Sequence, residues 1–320
     1  MRRRSLLAAA TAAWSAPAPG RAAAWPDRPV RFIMPGAAGG NPDILARIWA
    51  QHLAGPLGQP VIVENRPGAA GLIGTEAVMN AAPDGYTFMF GFNQLVTLNP
   101  LLYRRLQFDP ARLTPVALLS TTSYVMLVPK SLPATSLEAF IALARQRPGR
   151  LVLGSSGPGS VAYLSGELLM REAGISLMQV PFRTPASAEL LTGTVQLTIE
   201  PIGLATRMSQ PADSLVRAIA HFGPVPEPTL PGVPMVQESY PGLAHLGFHA
   251  LWGPPGLPEP IAARMGAVMI AQAGNPALAE RMQGLGTRLV GQDANALRAA
   301  IREDWDRWAQ IIRERDIRLD

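Results

Sequence analysis

Short apolar runs alternate along this chain with amphipathic stretches of helical period. An apolar run at 30–34 predicts a strand, and it opens into a loop of small residues, Pro35, Gly36, Ala37, Ala38, Gly39 and Gly40. Beyond the loop Ile44, Leu45, Ile48, Trp49 and Leu53 recur at helical spacing. With Asn41 as N-cap, Pro42 at the first helical position and Asp43 in the first turn, this predicts a helix over 42–54. A strand at 61–63, a helix over 71–81 and a strand at 86–90 follow, the last entered through the Pro83-Asp84-Gly85 turn. The pattern restarts near residue 124, with strands at 124–128, 151–154, 177–181, 195–199 and 216–220 and helices over 137–147, from the Gly157-to-Ser160 turn to 173, and over 186–191. After a proline-rich segment at 224–241 come a strand at 246–252 and three helical stretches, the last over 294–314 with Trp305, Trp308, Ile311 and Ile312 at core-facing spacing. Strands alternating with helices predict an α/β fold of parallel-rich sheets flanked by helices, which takes its ligand at the carboxyl ends of the strands.

The 320 residues, 48% hydrophobic and 16% charged, suffice for two domains with their own cores. The absence of cysteine excludes a disulfide scaffold, a zinc-cysteine site, an iron-sulfur cluster and a thiol nucleophile. No interior run reaches the ~20 apolar residues of a membrane span. The amino terminus carries Arg2, Arg3 and Arg4, then an apolar run at 6–14, then a Pro/Ala/Gly segment ending at Ala24. That order predicts a signal peptide over 1–24 and export to the periplasm, by either the general secretory or the twin-arginine route. Its removal takes away four arginines, Arg2, Arg3, Arg4 and Arg21, and lowers the formal net charge from +5 to +1, which argues against nucleic acid as a partner. The sole lysine, Lys130, lies in a Pro129-Lys130-Ser131 turn, so a phosphate-loop or Schiff-base lysine has no good candidate.

Two strand-to-helix loops carry the chemistry of anion binding. Backbone N–H groups at a helix N-terminus converge on a carboxylate with a favourable dipole, and small residues allow close approach. The loop Gly36, Ala37, Ala38, Gly39 and Gly40 has these properties, and Ser155, Ser156 and Ser160 add hydroxyl donors to the second. Asp43 is placed either to pair with a ligand amine or to cap its helix, and Glu200, ending an apolar strand, is placed to reach the same cleft. Enzyme patterns fit poorly. Gly157-Pro158-Gly159-Ser160-Val161-Ala162 has a proline inside a dinucleotide-type turn, Ser156 lacks the full pair of flanking glycines of a nucleophile elbow because Pro158 stands two residues after it, and His245 and His249 lie in a segment without helical period. Neither a catalytic residue nor a metal or cofactor site is expected.

Several segments in one order resemble the Bug-type substrate-binding proteins of tripartite tricarboxylate transporters. They are Trp25-Pro26-Asp27-Arg28-Pro29-Val30, the loop from Pro35 to Asp43, Val63-Glu64-Asn65-Arg66-Pro67-Gly68, Ala82-Pro83-Asp84-Gly85-Tyr86-Thr87, Asn99-Pro100-Leu101-Leu102-Tyr103, Phe108-Asp109-Pro110, Gly154-Ser155-Ser156-Gly157-Pro158-Gly159-Ser160, Leu230-Pro231-Gly232-Val233-Pro234 and Trp252-Gly253. The resemblance implies a monomeric, non-enzymatic, two-domain periplasmic binding protein of type II-like fold with its ligand cleft between the domains. Residues 25–123 plus 245–320 would form the first domain and 124–244 the second, the chain crossing the hinge twice. Such a receptor closes over a small carboxylate, whether a di- or tricarboxylate, an aromatic acid or an amino acid, and delivers it to a membrane permease. It also implies ligand contacts at Phe92-Asn93-Gln94 and at Pro181-Phe182-Arg183-Thr184, where the family usually reads Pro-Tyr-Lys-Gly. This chain departs from the pattern in a shortening after Thr184, in Gln196 where Asp is common and in Tyr163 where His is usual. Two alternatives stay open at this point: a ligand sensor that docks a signalling protein, and an exported hydrolase.

Overall fold

The structure, a computed structural model, describes residues 25–182 and 186–319. The predicted signal peptide over 1–24 and the candidate ligand residues Arg183 and Thr184 lie outside the described residues. A first run of elements comprises β1 (Val30–Met34), α1 (Asn41–Leu57), β2 (Val61–Asn65), α2 (Leu72–Met79), β3 (Thr87–Phe92), α3 (Leu98–Leu102) and β4 (Thr114–Thr122). A second comprises β5 (Tyr124–Pro129), α4 (Leu137–Gln146), β6 (Val152–Ser155), α5 (Val161–Ala173), β7 (Met178–Pro181), α6 (Ser187–Thr192), β8 (Leu197–Pro201), α7 (Ile202–Ser209) and β9 (Val216–His221). The chain then returns through β10 (Gly247–Gly253), α8 (Glu259–Ala273), α9 (Pro276–Gln283), β11 (Arg288–Asp293) and α10 (Ala294–Glu314). Among the described residues no helix is long and apolar enough to cross a membrane.

Two sheets organise these elements, a six-stranded one in the order β11-β4-β10-β3-β1-β2 and a five-stranded one in the order β7-β6-β8-β5-β9. Strand β1 runs parallel to β2 and β3, and β6 runs parallel to β7 and β8. Strands β10 and β11, by contrast, pair antiparallel, as does β5 with both its neighbours. The sheets are therefore mixed, which corrects the parallel-rich expectation. The reason is connectivity: β4 leaves for the second sheet through the single residue Ser123 and β10 comes back, so the outgoing and returning strands oppose each other.

The same crossover sets the position of the site. Met34, Asn65 and Phe92 end their strands on the side where β4 passes into β5, since Gly247 opposes Thr122 and His249 opposes Phe92. In the second sheet Tyr124 opposes Pro201 and Ser155 is level with Pro181, so β6, β7 and β8 also end there. The carboxyl ends of the parallel strands of both lobes converge on Ser123.

Local chemistry accounts for the remaining differences from the sequence reading. Helix α1 is capped by Gly40 in an extended conformation with no side-chain cap, not by Asn41, and it runs through Pro56 to a left-handed Gly58. Helix α2 begins at Leu72, one position later than expected, because Gly71 is left-handed at φ +86 and lies against Pro35. The hydrophobic pattern does not predict strands β4 and β11 or helices α3 and α7. The apolar run of β4 merges with that of β5, and β11 is half-exposed with a register shift against β4. Trp305, expected in the core, is 36% exposed, whereas Leu297, Trp308, Ile311 and Ile312 of α10 are buried.

Helix α10 does more than complete the first lobe. Its Trp308, Ile311 and Ile312 join Leu98 and Leu102 of α3 in one apolar cluster with Leu164 and Leu168 of α5 and Ile199 of β8. The carboxyl-terminal helix thus seals the second lobe while its start packs on the first sheet beside Phe248 and Trp252.

Candidate functional site

The loop after β1 is held from behind by Asp43. Its Oδ2 accepts from Gly39 N–H at 2.8 Å and from Arg47 Nε at 3.1 Å. Its Oδ1 accepts from Asn65 Nδ2 at 2.9 Å and pairs with Arg47 Nη2 at 3.0 Å. Asn65 also donates to Gly36 O at 3.2 Å and accepts from Arg47 at 2.8 Å. Asp43 is 2% exposed, so it anchors the loop and does not face the cleft. Burial pulls its pKa up, but the hydrogen bonds from Arg47, Gly39 and Asn65 and the Arg47 charge outweigh burial and hold the carboxyl below 3.8.

A carboxyl whose folded pKa lies below its unfolded value stabilises the fold at every pH above that unfolded value, and the contribution is lost as pH falls through the folded pKa. Asp43→Asn, which offers one acceptor oxygen where three donors converge, is expected to cost about 1.5–3 kcal/mol above pH ~5. Melting curves of parent and variant should draw together only below pH ~4; a difference that instead grew with acid would contradict the anchor.

With Gly39 N–H occupied, the exposed part of the loop offers the amides of Ala37 and Ala38, which meet no acceptor among the described residues. Gly40 N–H turns back to Ala37 O at 3.3 Å, and Gly36 O is taken by Asn65. The bend rests on Gly39 at φ +78, a left-handed conformation natural to glycine.

The second loop is also internally bonded. Ser155, buried at the end of β6, accepts from Gly157 N–H at 3.2 Å. Ser160 caps α5 by accepting from Tyr163 N–H, and its hydroxyl donates to Gly157 O at 2.8 Å. Ser156 is exposed. A Cβ on Gly159, at φ +93, would stand 2.8 Å from Leu319 and 3.0 Å from Leu102, so this loop lies directly against α3 and the chain end. Of the three serines, Ser156 alone is neither buried nor hydrogen-bonded to a described neighbour.

Asn93 and Glu200 complete the set. Asn93, 4% exposed, donates its Nδ2 to Asp304 Oδ2 at 3.0 Å. Asp304 on α10 also meets the Thr97 hydroxyl at 2.6 Å and accepts from Trp308 Nε1 at 2.7 Å. Burial pushes Asp304 up, against the lowering effect of Thr97, Asn93, Trp308 and the Arg307 charge. Glu200, next to last in β8, is pushed up to about 7 by burial. The Tyr124 phenol is raised by burial and then by the charges of Asp304 and Glu200.

Two residues escaped the sequence reading. Asn65 lies in a segment quoted for the resemblance, and nothing in spacing marks it as the loop's second anchor. Asp304 had a signal: an acid four residues before Trp308, on the buried stripe of an amphipathic helix. Two of the four histidines are buried against serine hydroxyls. His245, held neutral by burial with its pKa down to about 3, meets Ser165 at 3.0 Å, and His249, down to about 4, meets Ser120 at 3.2 Å.

Two cavities of about 370 and 260 Å3 lie away from these loops and share Thr121, Pro224 and Leu246. Ser123 also lines the first and Asp304 the second, and no residue of the two loops lines either. The free amides of Ala37 and Ala38 lie in the loop and not in either cavity.

Two mixed α/β lobes joined by strand crossovers, with a donor loop at their convergent carboxyl ends, define a two-domain solute-binding receptor. Residues 45–317 match the tripartite tricarboxylate transporter family receptor model, and the chain belongs to that family. It is 30% identical over 310 residues to Protein BugT of Bordetella pertussis, covering 94% of each chain. Among solved structures it resembles Rpa4515 of R. palustris with adipate at a TM-score of 0.80 and 30% identity, over 90% of this chain and 97% of that one. It also resembles MatC from Rhodopseudomonas palustris with bound malate, at 0.77 and 29%, over 90% and 100%.

Proposed function

We propose that this chain is a periplasmic receptor that captures a small organic carboxylate and delivers it to the membrane permease of a tripartite tricarboxylate-type transporter, without turning it over. The first domain comprises 25–123 and 245–320 and the second 124–244, with residues 1–24 removed on export. The observation that carries this reading is the pair of unsatisfied, exposed amides at Ala37 and Ala38, ahead of the 17-residue helix α1 and locked by the buried Asp43–Asn65–Arg47 cluster. Preorganised donors at a helix N-terminus suit a carboxylate and need no rearrangement when it arrives. Family membership and the adipate and malate bound by similar receptors support the same ligand class.

The carboxylate docks on the first lobe in the open form. Rotation about Ser123 and the returning segment before β10 then brings Ser156 to its far side and excludes water.

Gly39→Val tests the loop. No atom stands within 4 Å of a Cβ there, so the variant meets strain at φ +78 and no clash, and its fold is expected to survive. The bend that presents Ala37 and Ala38 should not. Calorimetry on the protein from Trp25 onward, with the ligand found by thermal-shift screening of citrate, dicarboxylates and aromatic acids, is expected to show affinity reduced about tenfold or more. Parental affinity in the variant would sink the assignment.

A further inference from the structure

The cleft walls offer hydrogen-bond acceptors as well as donors. Asn93 turns its amide nitrogen to Asp304, a group that accepts from it, so the amide orientation is set and Oδ1 is the atom left over. No described residue donates to Oδ1, and it is not among the fully enclosed atoms. Glu200 shares this situation. It receives no hydrogen bond and no ion pair from any described residue, and burial raises its carboxyl.

Topology places both on one side of the molecule. Asn93 follows β3 and Glu200 lies on β8, each on the loop-bearing side of the β4-to-β5 crossover. Tyr124, which opposes Pro201 beside Glu200, feels the charges of both the Glu200 carboxyl and the Asp304 carboxyl that holds Asn93. A desolvated carboxyl group and an unpartnered amide oxygen both gain most from a cationic N–H donor.

We propose that the ligand is an amine-bearing carboxylate whose ammonium group is held by Glu200 and by Oδ1 of Asn93 while its carboxylate lies on the Ala37 and Ala38 amides. This rests on the carboxylate-receptor reading above and narrows it to zwitterions. A dicarboxylate would bring a second negative charge to Glu200, whereas an ammonium group supplies the missing countercharge and as many as three donors. Asp304 acts here as a positioning residue, through Asn93.

The test is calorimetry on the protein from Trp25 onward with matched probes: 4-aminobutanoate against succinate, 6-aminohexanoate against adipate, and L-glutamate against glutarate. In at least one pair the amine-bearing member is expected to bind about tenfold tighter or more. Glu200→Gln should remove that preference while leaving the melting temperature of the unliganded protein within a few degrees. The comparison within the parent protein stands even if the variant folds poorly. If dicarboxylates bind and their amine-bearing counterparts bind no tighter, the inference falls and the carboxylate reading survives. If no probe of either kind binds, the inference falls, and the carboxylate reading is decided by the thermal-shift screen with citrate and aromatic acids.

Discussion

Asp304→Ala is expected to be among the most destabilising single changes in this protein. The substitution removes the acceptor of Trp308 Nε1 and of Asn93 Nδ2, both buried, and strips the Thr97 hydroxyl of its 2.6 Å partner. Two orphaned buried donors at about 1–3 kcal/mol each give a loss of about 2–6 kcal/mol, and so a melting temperature lower by ~5–15 °C. Asp304→Asn keeps one acceptor oxygen and should lose less. The pH dependence has a definite sign. The Asp304 pKa is raised above its ordinary 3.8, chiefly by burial, so its protonated form is favoured by folding. That contribution is complete below the unfolded value and declines as pH rises through the folded one, so the gap between parent and Ala variant should widen toward acid. An Ala variant that melts with the parent would mean that α10 is held by its apolar stripe alone.

Gly203→Val is expected to pry the lobes apart. Gly203 opens α7 in the second lobe, and a Cβ there would collide with the backbone carbonyl of Leu285, just before β11 in the first. Gly286, left-handed at φ +70, is pressed as closely against Gly203 N, and its own carbonyl accepts from the Thr122 hydroxyl at 3.1 Å. Backbone meeting backbone cannot be relieved by a rotamer change, so the lobes must separate or α7 must shift. The expected cost is about 1–3 kcal/mol or more. Small-angle scattering should show a larger radius of gyration in the variant, and ligand should no longer reduce it. Unchanged scattering with a parental melting temperature would remove this contact from the hinge.

These two sites illustrate what pattern reading reaches. Helix α10 was legible over its full length, because a 3.6-residue stripe of apolar side chains announces itself wherever it packs. Its division of labour between the lobes was not, since Leu297 and Trp308 look alike in sequence and bury against different sheets. Strand β11 was missed for the opposite reason: a half-exposed edge strand with Gly291 inside has no alternation to read. The parallel-rich expectation failed on connectivity, because hydrophobic runs carry no direction.

The candidate loops were legible as loops. Glycine and alanine clusters between a strand and a helix have few other uses, and resemblance to the receptor family put a ligand beside them. Their inner chemistry was not legible. Asp43 and Asn65 are 22 residues apart and meet behind Gly36 and Gly39 because β2 lies in parallel register beside β1. Which amides remain free, Ala37 and Ala38 and not Gly39, follows from that meeting.

By itself the sequence determined the local decisions: where strands and helices alternate, which turns need glycine, that no thiol or lysine chemistry is available, and which family the order of segments resembles. These depend on nearest-neighbour sterics, period and composition, all written along one dimension. Only the tertiary structure decided which strand ends converge at Ser123, which of two like-looking carboxyls, Asp43 or Glu200, is saturated by donors and which is left without one, and which way the Asn93 amide turns. Those outcomes depend on distances between residues far apart in the chain, and a hydrogen bond exists or not within a few tenths of an ångström that no sequence interval encodes.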